Sequence, residues 1–183
     1  MVRLALVVLG ILLTLSTGFN GYLYSQFVQV FQDNETIQVT TYSLARKNLS
    51  KAGLRFTGAV DEEGATRQAF LQNGYDLVLA YQAGTWALRE PFPQTTSDFL
   101  YAIGDALINA VDDARADGHV EAEELEAFGE VTRIVAQAMG ELENDKILET
   151  EGSLLIQTIR KRLVEANLWS LLTESNISLR EMR

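Results

Sequence analysis

The stretch NGYDLVLAYQAGTWAL, residues 73–88, decides how this chain is read. Tyr75, Leu77, Leu79 and Tyr81 recur at every second position, the period of a strand with one apolar face. Asn73-Gly74 ends whatever precedes it, Ala83-Gly84 offers a turn, and Trp86 and Leu88 continue as an antiparallel return strand. Working outward, Ile37 and Val39 alternate with Gln38 and Thr40, a further short strand. Ser43 caps a helix that places Ala45, Leu49 and Ala52 on one face and that Gly53 stops. Leu54, Phe56 and Val60 read as another strand, and Asp61 with Glu62 and Glu63 opens the next helix. Residues 36–92 are therefore expected to form a small mixed α/β segment, with helices packed on a sheet.

That segment holds no phosphate-cradling glycine loop, because its glycines are too widely spaced. Arg46, Lys47, Lys51 and Arg55 make a local basic group that fits either a solvated helix face or a site for an acidic partner. Pro91 and Pro93 flank Phe92 and mark the expected boundary with the C-terminal half of the chain.

Past the prolines the period changes. Phe99, Ile103, Leu107, Ala110 and Val111 recur at helical spacing behind a capping Ser97. Leu125, Phe128, Val131, Val135, Ala138 and Leu142 do so in a second helix, and Leu155, Ile159, Leu163 and Val164 in a third, after Gly152-Ser153. Residues 94–174 are expected to close as an antiparallel three-helix unit.

Upstream, residues 1–32 carry one basic residue, Arg3, a clean apolar run from Leu4 to Leu15, and no acid before Asp33. A signal peptide cut after Ser16-Thr17-Gly18 is one reading. The other is an uncleaved transmembrane helix over residues 4–24 that extends beyond the lipid bilayer, and the aromatic continuation favours it. Phe19, Tyr22, Leu23, Phe27, Val30 and Phe31 keep helical spacing on one face and form a candidate partner interface, either for the chain's own domain or for other membrane subunits. Arg3 ahead of the span places the N-terminus in the cytoplasm and the soluble region outside. The expected fold class is thus α+β: an N-terminal transmembrane helix, the α/β segment and the helical unit.

Composition narrows function by exclusion. The chain has 183 residues, a net charge of -10 and a pI near 4.6, so nucleic acid is not an expected partner. Cysteine is absent and His119 is the only histidine, which removes thiolate metal sites, multi-histidine sites and a Cys nucleophile. No enzyme is expected.

One acidic loop remains. Residues 111–125, VDDARADGHVEAEEL, resemble the EF-hand, a calcium-binding helix-loop-helix, over about 30 residues (100–130). With Gly118 at the sixth loop position, the resemblance implies metal ligands at Asp113, Asp117, His119 (through its carbonyl), Glu121 and Glu124. Arg115 falls where a third oxygen ligand belongs, so any calcium site is weak. The same A-D-G pattern resembles helical domains of the TerB type, in which it only joins two helices. Glu121, Glu123, Glu124 and Glu126 then serve the N-terminus of the second helix through its macrodipole. Three N-glycosylation acceptor patterns occur, at Asn34, Asn48 and Asn176. The function expected from the whole is a single-pass membrane-anchored structural or accessory subunit of an assembly, with a weak divalent-cation module as the alternative.

Overall fold

The structure is a computed structural model that describes residues 37, 39–88, 94–116, 120–141, 152–176, 178 and 179. Thr40–Arg183 forms one compact unit, and Met1–Val39 forms another, of which only residues 37 and 39 are described. Among the described residues the larger unit contains six helices of more than one turn: α1 (40–59), α2 (Gly64–Ala87), α3 (Gln94–Ala116), α4 (Ala122–Glu141), α5 (Gly152–Glu165) and α6 (Trp169–Ser175). No described residue lies in a strand, which overturns the expected α+β class.

The correction falls on residues 36–92, and its cause is visible in the packing. The buried positions of α2 and its end are Leu71, Gly74, Val78, Tyr81, Thr85 and Leu88, spaced alternately three and four apart. That is the narrow seam of a coiled coil. Of the four residues read as one strand face only Tyr81 belongs to it, while Leu79 is exposed. On α1 the same spacing runs through Tyr42, Ala45, Leu49, Ala52, Phe56 and Ala59. The face expected from Ala45, Leu49 and Ala52 therefore continues through Gly53 into the supposed second strand.

Glycines read as stops are sites of close approach. A Cβ on Gly84 would lie 3.1 Å from Ala45 Cβ, and one on Gly74 would lie 2.7 Å from the Phe56 ring. These pairings run in opposite directions along the two helices, so α1 and α2 are antiparallel. Gly53 faces α4 instead, where its Cβ would lie 2.6 Å from Thr132 Oγ1 and 3.2 Å from the Gly129 carbonyl oxygen. A helix interior accepts glycine at a cost of roughly 1 kcal/mol relative to alanine, and closer packing offsets it here. Gly64 differs: its φ of 54° lies in the left-handed region, and it turns the chain from α1 into α2 with nothing packed on it.

The helices close a ring. α1 packs on α2 and α4, α2 on α3, α3 on α5, and α5 on α4, with α6 laid against α3 and α5. Phe99, Ile103, Leu107, Ala110 and Val111 of α3 are all buried, as are Leu125, Phe128, Val131, Val135 and Ala138 of α4 and Leu155, Ile159 and Leu163 of α5. Val164 is instead exposed, Ser97 sits buried inside the first turn of α3, and Leu142 lies outside the described residues. Two tyrosines tie the ring across its seams. Tyr42 Oη donates to the Met139 carbonyl at 2.9 Å, and Tyr81 Oη donates to the Leu100 carbonyl at 2.9 Å, so neither buried hydroxyl is orphaned. Burial pushes the Tyr81 phenol well above its ordinary ionisation range.

No helix among the described residues is long and apolar enough to cross a membrane. Even α2, with Arg67 and Asp76 as its only charges, is broken by Gln68, Gln72, Asn73 and Gln82, too polar for a bilayer core. Among the described residues this corrects the single-pass membrane reading, with the cytoplasmic N-terminus and extracytoplasmic region derived from it; the expected span itself, residues 4–24, lies outside them. Residues 1–32, with the expected interface at Phe19, Tyr22, Leu23, Phe27, Val30 and Phe31, lie outside the described residues.

Candidate functional site

The acidic loop between α3 and α4 divides its expected metal ligands among different structural settings. Asp113 lies in the last turn of α3, Glu121 immediately precedes α4, and Glu124 lies in the first turn of α4. Asp117 and His119 lie outside the described residues. Glu124 turns back on its own helix: its Oε2 accepts from the Glu121 backbone N–H at 2.8 Å, and the Glu121 carbonyl accepts the first helical bond, from Leu125, at 3.2 Å. That is the return half of a capping box, which supplies an acceptor to an end where donors are otherwise unmet. Among the described residues, no group of three or more His, Asp or Glu is placed to hold a metal ion.

Glu124→Ala in metal-free buffer should lower the unfolding free energy by about 0.5–1 kcal/mol, and Glu124→Gln by less, since an amide also caps. Equal stability of all three proteins in urea titrations would mean the contact contributes nothing.

Beside the loop, α2 and α3 are joined by a polar cluster. Tyr75 Oη donates to Asp112 Oδ2 at 3.1 Å, Arg115 donates to Gln72 Oε1 at 3.0 Å, and the Arg115 guanidinium stacks 4.7 Å from the Tyr75 ring centre. Arg115, which falls on a ligand position in the EF-hand register, is thus committed to α2. Partial burial, followed by the Asp112 hydrogen bond, raises the Tyr75 phenol above its ordinary range. Asn176, the last acceptor pattern, is also occupied. Its amide nitrogen donates to Asp105 Oδ2 at 2.9 Å and to the Ala102 carbonyl at 3.4 Å, and its Oδ1 accepts from Ser178 N at 2.8 Å, so both edges of the amide are engaged in the folded unit.

The strongest candidate for an interaction site is the outer face of α1. Opposite the buried seam, Leu44, Lys47, Lys51 and Leu54 follow one another at helical spacing, all exposed. Between α1 and α4 runs a groove of about 890 Å³. Arg46, Lys47, Ser50 and Lys51 form one wall, Glu126, Glu130, Arg133 and Gln137 the other, and the Gly53/Gly129 crossing lies between them. A second recess, about 670 Å³, lies on the α2 side of Leu54, with Arg55, Asn73, Asp76 and Leu77. Leu54 and Lys51 line both and stand as a crest between them.

Charges in the groove are unevenly used. Arg133 grips Glu130 with two bonds, Nε to Oε2 at 2.7 Å and Nη2 to Oε1, and donates to Gln137 at 3.2 Å. The Arg133 hydrogen bond holds the Glu130 carboxyl below its usual range. This pair stabilises the fold at neutral pH and loses its contribution as pH falls through the lowered Glu130 value, a small effect because both groups are exposed. Lys47 and Lys51 have no ion-pair partner among the described residues. Arg55 lies 5.4 Å over the Phe70 ring.

The four basic residues are evident in the sequence, whereas Leu54 and the groove are not. The available signal is that residues 40–60 contain four cations and no anion in a chain of net charge -10. Comparison with protein-family models, with curated proteins and with solved structures finds no match for the chain.

Proposed function

We propose that the protein is a non-catalytic helical accessory subunit that acts by binding another protein through the outer face of α1. Leu54 carries this reading: it is 72% exposed, stands between two recesses, and shares its stripe with Leu44, which is 57% exposed. A single exposed leucine is ordinary. Two on one stripe, with lysines between them that have no ion pair among the described residues and with recesses alongside, have the layout of an interface core with a charged rim. Composition supports the same reading, since one histidine and no cysteine leave little from which to assemble a nucleophile and base.

The test is a photocrosslinking side chain at Leu54 in the full chain, expressed in its own cells, against the same group at Leu154, an exposed leucine of α5. A discrete adduct with one protein from position 54, absent from position 154, is expected. No adduct from position 54, or the same adducts from both positions, overturns the proposal.

A further inference from the structure

We infer that the occupant of the α1 face is an acidic amphipathic helix of a partner protein, its leucine-like anchors beside Leu44 and Leu54 and its carboxylates on Lys47 and Lys51. The inference rests on the protein-binding reading above and adds the chemistry of the ligand.

Charge supplies the first argument. Residues 40–60 hold Arg46, Lys47, Lys51 and Arg55 and no acid, whereas the chain as a whole is strongly acidic. Such a patch attracts an acidic segment locally while the rest of the surface repels it, which fixes where the segment lands. Lys47 and Lys51 hold no internal ion pair among the described residues that must be broken, and of the two acids on the opposite wall, Glu126 and Glu130, the second is already held by Arg133. The apolar residues supply the second argument. Leu44 and Leu54 are ten residues apart, about 15 Å along the axis, or roughly three turns of a helix lying alongside. Helix-in-groove recognition uses anchors at i, i+3 and i+7, and one further turn of the same pattern reaches across this span. A phosphate backbone or an anionic membrane surface would use the lysines but has no need of Leu54 with a recess on either side.

The probe is a synthetic labelled helix of about 18 residues, with Leu at the i, i+3, i+7 and i+10 positions and Glu over the remaining face. Two comparators have Glu replaced by Gln, or Leu replaced by Ser. Binding to the full chain is followed by fluorescence anisotropy at about 0.05 M and 0.3 M salt. Saturable binding of the Leu/Glu helix is expected, weakened about tenfold or more in each comparator, in Lys47→Glu/Lys51→Glu and in Leu54→Ser, and weakened by the higher salt. Thermal melts of the variants should match the parent, since all three positions are exposed. No saturable binding, equal binding of the Ser helix, indifference to the variants, or tighter binding to duplex DNA or phosphatidylglycerol vesicles overturns the inference. A crosslinked partner at Leu54 that presents no acidic helix leaves the protein-binding reading standing and removes this one.

Discussion

Gly53→Leu is expected to destabilise the bundle by about 3 kcal/mol or more, at the upper end of what overpacking costs. Gly53 and Gly129 face each other where α1 crosses α4. A Cβ on Gly53 meets Thr132 Oγ1 at 2.6 Å and the Gly129 carbonyl at 3.2 Å, and one on Gly129 meets Thr57 Oγ1 at 2.6 Å and the Gly53 carbonyl at 3.4 Å. Thr132 has little room to yield, because its hydroxyl lies against the Phe128 and Gly129 carbonyls at 3.0 and 2.7 Å. Relief requires the helices to move apart, which loosens Tyr42 against Met139 and Phe56 against Phe128.

Gly53→Ala makes the sharper comparison. Helix propensity alone favours alanine by roughly 1 kcal/mol, whereas the crossing penalises it by about 1–3 kcal/mol. A net loss is therefore expected in urea unfolding at unchanged m-value. A gain near 1 kcal/mol would show that the two helices do not approach as described.

Phe56→Ala should cost about 3–5 kcal/mol, the range for emptying a buried phenyl site. Phe56 is fully buried, meets Phe128 edge to face with ring centres 5.7 Å apart at 62°, and covers Gly74 of α2. It thus joins α2, α1 and α4 in one contact. Its dependence on Gly74 provides a test that simple cavity formation does not share. Gly74→Ala alone is destabilising, because the new Cβ would lie 2.7 Å from the ring. In the Phe56→Ala background the same change should be neutral or stabilising, since the ring is gone and the helix gains alanine. A coupling of about 1–3 kcal/mol between the two sites is expected from residues in direct contact. Additive effects would place the ring elsewhere.

The two halves of the larger unit differ in how openly their sequences declare their burial. In α3, α4 and α5 the apolar residues are large and the intervening ones are mostly polar, so Phe99, Ile103, Leu107, Leu125, Phe128, Val131, Leu155 and Ile159 report their own burial. In α1 and α2 the seam alternates large residues with Ala45, Ala52, Ala59, Gly74 and Thr85, side chains too small to register as a core face. The outer surface meanwhile carries Leu54, Leu79 and Trp86. Alternation at Tyr75, Leu77, Leu79 and Tyr81 is then the dominant pattern, although the true seam runs through the same stretch at Gly74, Val78 and Tyr81.

The proposed interaction face is half legible in the sequence. Arg46, Lys47, Lys51 and Arg55 stand out there, and their sign against the acidic whole is a property of composition. That Lys47, Lys51, Leu44 and Leu54 share one exposed stripe requires α1 to continue past Gly53. The groove beside them requires α4, whose residues are distant in the chain. Glu124 shows the same division: its place at the start of a helix is readable, but its bond to Glu121 follows from where α4 begins.

By itself, the sequence determined the helical period that the described residues of 94–174 follow in α3, α4 and α5, the lack of thiol or multi-histidine chemistry among its residues, and one basic segment in an acidic chain. Each is a local property of residue type and spacing. Tertiary structure alone decided that residues 40–88 are two helices and that Gly53, Gly74 and Gly84 lie inside them. A glycine carries no side chain to distinguish a place where the chain must turn from one where a neighbour must come close. That distinction lies in the neighbour: Thr132 for Gly53, Phe56 for Gly74 and Ala45 for Gly84.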